Sequence, residues 1–186
     1  MNLNDKAVSR PDTVVVSSGF SATSRNVSLL ASPVVPGSVA VKLGRLNSGN
    51  LASLAQGDLV YYEVCKFFVP NQQSAPINVE VESTNPVNTL SALGFRVLGK
   101  VTTSGSLLRK LEMWDWQASR WDPVDVLTGP LSTTLVEHVV NDTGNISRYM
   151  NGSKRMKSRW TVKAVGPVGS SSWCKDTDQA VFLVQP

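Results

Sequence analysis

Apolar and polar positions alternate with a period of two through much of this chain. Ile77-Asn78-Val79-Glu80-Val81-Glu82 puts Ile77, Val79 and Val81 on one face and Asn78, Glu80 and Glu82 on the other. That is the pattern of a strand with one face in a core and the other in solvent or an interface. Arg159–Val165 is less regular but still β-like. The same reading predicts strands at Thr13–Val16, Val27–Leu30, Ser38–Leu43, Leu59–Val69, Ile77–Glu82, Gly94–Val101, Leu107–Trp116, Thr133–Val140, Arg159–Val165 and Ala180–Val184. Clusters of Pro, Gly, Asn and Ser separate them, and each supplies turn chemistry. Helix signals are limited to one turn at Leu51–Ala55 and another at Ser119–Leu127. So many short strands with such connections predict an all-β fold, an antiparallel β-sandwich or barrel. Residues 1–12 are polar and read as a mobile arm, with residues 13–186 as one domain.

Composition narrows the class. The chain has 186 residues, 41% hydrophobic and 17% charged, enough to bury a core without disulfides or metals. No apolar run approaches the roughly 18 residues of a membrane-spanning helix, so no membrane partner is expected. The first residues lack the charged-then-apolar layout of a signal peptide, and synthesis in a cytoplasm is expected. Cys65 and Cys174 are far apart and form no CxxC pattern, which argues against zinc. They are expected as reduced core thiols, with a disulfide as the lesser alternative. Sequons at Asn26, Asn141, Asn145 and Asn151 are read as the Asn, Ser and Thr content of turns.

The search for chemistry returns little. His138 is the one histidine, and no nucleophile motif accompanies it, so it reads as a polar-face strand residue rather than a general base. No nucleophile elbow, phosphate-binding loop, dinucleotide fingerprint or paired-histidine zinc motif occurs. Asp115, Asp122 and Asp125 form the best carboxylate group. It could serve a glycosidase pair or a Ca²⁺ site, but a turn with Trp packing beneath is the simpler reading. No catalytic residue, cofactor or metal is expected, nor a small-molecule substrate. Trp114, Trp116 and Trp121 fall within eight residues and read as core or interface anchors, or as a platform for sugars or bases.

Charge changes the picture most. Glu112, Asp115, Asp122, Asp125, Glu137 and Asp142 form an acidic stretch interrupted by one base, Arg120. Arg148, Lys154, Arg155, Lys157, Arg159 and Lys163 follow with no acid, and Tyr149 and Trp160 lie among them. Bases with interleaved aromatics suit a nucleic-acid backbone with stacked bases. Pairing of the two stretches, within a subunit or across an interface, competes with that reading. So does a solvated loop. The net charge is only +4, so the patch is local.

Tyr61–Pro70, then Asn71–Pro76, then Ile77–Glu82 resembles the central strands of jelly-roll coat proteins of small icosahedral RNA viruses. An aromatic and basic strand ends in an apolar-Pro step, a Gln/Ser/Pro loop follows, and the next strand has a clean inward face. The resemblance implies a jelly-roll capsid subunit that assembles with copies of itself in a virion, is made in a host cytoplasm and contacts RNA. It departs from that pattern in having only Lys6 and Arg10 in the first dozen residues. RNA contact would then fall to Arg148, Lys154, Arg155, Lys157, Arg159 and Lys163. Two alternatives are a non-catalytic β-sandwich that binds carbohydrate or a protein, and a viral accessory or movement protein that binds single-stranded nucleic acid.

Overall fold

The computed structural model describes residues 32–67, 75–103, 105–130, 136–142, 146–165 and 172–186. The expected arm, the strands at Thr13–Val16 and Val27–Leu30, and Asn26 and Asn145 lie outside them. Among the described residues the strands are β1 (Ser32–Val34), β2 (Ser38–Leu43), β3 (Arg45–Ser48), β4 (Tyr62–Cys65), β5 (Ile77–Thr84), β6 (Ala92–Val101), β7 (Ser106–Asp115), β8 (Arg120–Pro130), β9 (Val136–Asp142), β10 (Arg155–Ala164) and β11 (Cys174–Gln185). Short 3₁₀ turns occupy Leu51–Leu54 and Ile146–Tyr149.

The strands form two antiparallel sheets. One runs β3-β4-β11-β6-β9, with β1 also on β11, and the other runs β2-β5-β10-β7-β8. Within the sheets β4 pairs with β11, β5 with β10, β6 with β9 and β7 with β8. First pairs with last, second with second-last, and so inward to the β7–β8 hairpin. A long hairpin rolled up in this nested way is a jelly roll, so the chain is an all-β jelly-roll sandwich.

Alternation explains the core. Ile77, Val79 and Val81 are fully buried between the sheets, as their period predicts. Met156, Trp160 and Val162 of β10 lie beside them on the same inward face, and from the other sheet Phe95 packs against Trp160 at 6.4 Å and against Phe182 at 5.3 Å. The two large core tryptophans are Trp160 and Trp173; Trp114, Trp116 and Trp121 are only half-buried.

Four expectations are corrected. The helical turn at Ser119–Leu127 is strand β8. Asp115 Oδ1 accepts the N–H groups of Gln117 and Ala118 at 2.8 Å each, Ser119 takes a positive φ of 52°, and the chain reverses into a hairpin. Pro123 is tolerated there because β8 ends its sheet among the described residues and the register shifts between Leu111 and Glu112. The segment before Arg159 is not a loop, because β10 begins at Arg155. Asn141 lies in a strand, opposite Gly94, and not in a turn. Finally, Cys65 and Cys174 form a disulfide, with no free thiol among the described residues. Their 109-residue separation in sequence vanishes because β4 and β11 pair with these two residues directly opposite.

Candidate functional site: the outer face of the second sheet

Register decides which side chains share this face. Along β10 the inward set is Met156, Ser158, Trp160 and Val162, so Arg155, Lys157, Arg159, Thr161 and Lys163 point outward. From Arg155 to Lys163 this row spans about 26 Å at strand rise. Opposite it on β5 stand Asn78, Glu80 and Glu82. On β7 stand Leu108, Lys110 and Glu112, and Trp114 pairs onward with Trp121 of β8.

Most of the bases are already matched. Arg155 binds Glu82. Lys157 lies 3.0 Å from Glu80 and 3.7 Å from Glu82, and Lys42 also reaches Glu80 at 3.6 Å. Arg159 Nε donates to Glu112 at 2.6 Å. These pairs are partly exposed, so each is worth little to stability. Their effect is on position: Lys157 sits 5.6 and 5.2 Å from the Trp114 and Trp121 ring centres, and Arg159 lies 4.3 Å over Trp121. The two rings meet edge to face at 5.2 Å.

Beyond Arg159 the face changes character. A groove of about 350 Å³ runs along it, lined by Asn78, Leu108, Lys110, Arg159, Thr161 and Lys163, with Glu112 as its carboxylate. Glu112 is taken by Arg159. Lys110 and Lys163 have no carboxylate within ion-pair distance among the described residues. Asn78 Oδ1 is buried without a hydrogen-bond partner.

The structure therefore brings Lys157, Arg159 and Lys163 together with Trp114 and Trp121, and places Arg155 at the end of the same row. It does not bring in Arg148 or Lys154. Arg148 lies in the second 3₁₀ turn, 3.6 Å from Asp115 and 3.0 Å from Asp122, and stacks on Tyr149 at 4.4 Å. Lys154 sits in the turn before β10 with a positive φ of 59° and bonds Asn88. Trp116 packs against Trp114 at 6.4 Å. The Asp group is occupied as well: a guanidinium stands between Asp115 and Asp122, and Asp125 binds Arg109. His138 pairs with Val97 along β9. Sequence reasoning missed Lys110, Thr161 and Asn78. Their two-residue alternation was visible, but which strands flank β10 was not.

For metal, Glu63, Cys65 and Cys174 are the one group among the described residues whose donor atoms lie within 4.8 Å of one another. With the sulfurs bonded to each other, no thiolate is on offer there.

No family model matches the chain, and no curated protein does. Solved structures do. The CBM36-1 domain of a multidomain xylanase from the hindgut metagenome of Trinervitermes trinervoides aligns over 84% of this chain and 97% of its own, at 10% identity and a TM-score of 0.46. The xylan-binding module CBM15 aligns over 83% and 95%, at 8% identity and 0.46. TmCBM61, solved with β-1,4-galactotriose, aligns over 80% and 88%, again at 8% and 0.46. These are carbohydrate-binding modules and not coat proteins. At such identities and scores the likeness is one of sandwich architecture and carries no argument about ligand.

Proposed function

We propose that this chain is a non-catalytic binding sandwich that holds single-stranded nucleic acid on the outer face of β5, β10, β7 and β8. One observation carries the reading: cross-strand register gathers Trp114, Trp121, Lys157, Arg159, Lys110 and Lys163 on a single face beside a groove. Lys110 and Lys163 are the cations free to meet phosphate, and a base stacked on Trp121 adds about 1–3 kcal/mol. Two phosphate contacts on a single strand give a slope of about −1.4 in log K against log salt.

The test is fluorescence anisotropy with a short RNA oligonucleotide across salt concentrations. The wild-type slope should lie near that value, and Lys110→Gln with Lys163→Gln should flatten it towards zero. Trp121→Ala should weaken binding at every salt. Binding of a neutral xylo-oligosaccharide with no effect of the lysine substitutions would replace nucleic acid by carbohydrate as the ligand. A chain that binds neither ligand ends the reading.

Self-assembly into a shell is the second reading. What favours it is the edge of β8, which pairs only with β7 among the described residues and where Val126 and Leu127 are exposed at 52% and 36%. An open apolar edge strand is a template for another chain. Light scattering should then show particles at low salt; a monomer at all salt concentrations rejects it.

A further inference from the structure

Between the sheets, where β6 turns into β7, the core holds two cations. Arg109 faces inward from β7 and is 2% exposed, and Lys175 faces inward from β11 and is 3% exposed. Arg109 gives one nitrogen to Asp125, but its Nε and Nη1 are buried and unpartnered. Lys175 has no carboxylate within ion-pair distance among the described residues. The Oγ1 of Thr177, two residues on along the same inward row, is also buried and unpartnered. Gly99 makes the arrangement possible. It is paired with Thr177, and a β-carbon at residue 99 would collide with the Lys175 ammonium and the Asp176 carbonyl. The missing side chain is the niche in which the ammonium lies.

Asp125 balances one of the two positive charges. Lys175 has the through-space attraction of the neighbouring Asp176 but no ion pair among the described residues, in a core where unpaired charge is costly. Three buried donor atoms, Arg109 Nε and Nη1 and Thr177 Oγ1, lack acceptors at this end of the sandwich, which also holds the Lys175 ammonium. We infer that Arg109, Lys175 and Thr177 form a niche for one small inorganic anion, chloride or an oxyanion such as phosphate, held between the two sheets. This niche is separate from the outer face and does not depend on the nucleic-acid reading.

The experiment titrates sodium phosphate and, separately, sodium chloride into the intact chain. Sodium gluconate holds the ionic strength, and thermal unfolding and isothermal titration calorimetry are both followed. One of the two salts should raise the unfolding midpoint by several degrees and saturate, with one site per chain in the calorimeter. Lys175→Met should abolish both effects. A rise that never saturates and is equal in the variant overturns the inference, as does the absence of binding heat for both anions. Should Lys175→Met fail to fold, the wild-type calorimetry decides alone.

Discussion

Reduction of the Cys65–Cys174 bond should lower the thermal unfolding midpoint by roughly 8–16 °C. The bond spans a sequence separation of 109 residues. On the chain-entropy account, a loop of ~100 residues restricts the unfolded chain by about 4.7 kcal/mol. Native-state costs usually reduce the measured figure, so about 4 kcal/mol is the expectation, and a domain of this size loses about 2–4 °C per kcal/mol. Position strengthens the case. β4 and β11 are the outermost pair of the nested roll, so this bond ties the first strand of the roll to the last. Melting with and without a phosphine reductant checks it, with thiol content measured in the same samples. A midpoint that stays put with both thiols free would sink the idea. The Cys65→Ala, Cys174→Ala double variant should melt near the reduced wild type.

The second large effect concerns Lys175. Burial first, and then the charge of Arg109, push its ammonium down to about 7 from 10.5; Asp176 acts the other way. The other charges near this end are Asp125 on β8, which reaches Arg109, Lys100 on β6 and Glu63 on β4. The folded-state pKa lies below the unfolded one, so between them the unfolded chain binds the extra proton. Lys175 therefore penalises the fold least above 10.5, and stability is lost as pH falls from there through about 7. At pH 6 the full penalty applies, a few kcal/mol by the rule of about 1.4 kcal/mol per pH unit. Lys175→Met keeps most of the volume and removes the charge. In buffer without small anions it should raise the midpoint at pH 6 by roughly 5–10 °C, and the gain should shrink steadily towards pH 9.5. Parallel melting curves for the two proteins across that range would refute the linkage. A bound anion would shrink the gap at pH 6 by stabilising the wild type alone, which ties this measurement to the niche inferred above.

A related balance holds on the outer face of the first sheet. Burial, then the facing charge of Glu63, push the Asp176 carboxyl up, while Lys100 and Lys175 pull it back. Asp176 and Glu63 stand opposite each other in the β11–β4 ladder, beside the disulfide.

The amino-acid sequence by itself determined the all-β class, the place of several strands and the faces of the clearest of them. Ile77–Glu82 shows why: with a period of two and one apolar face, burial can go only one way. It also determined that acids and bases are segregated along the chain. It could not say which strands would be neighbours, because pairing between distant strands leaves no local trace. The tertiary structure alone decided that Glu80, Glu82 and Glu112 flank the bases of β10, so that most of them became a matched ladder, with Lys163 of that strand and Lys110 of β7 left over. It decided that Cys65 meets Cys174. It turned Ser119–Leu127 into an edge strand, because a hairpin partner outweighs a weak local preference for a turn of helix. It also sent Lys175 inward: a β-bulge between Thr177 and Gln179 changes which residues of β11 face the core, and Gly99 on the neighbouring strand leaves the lysine room.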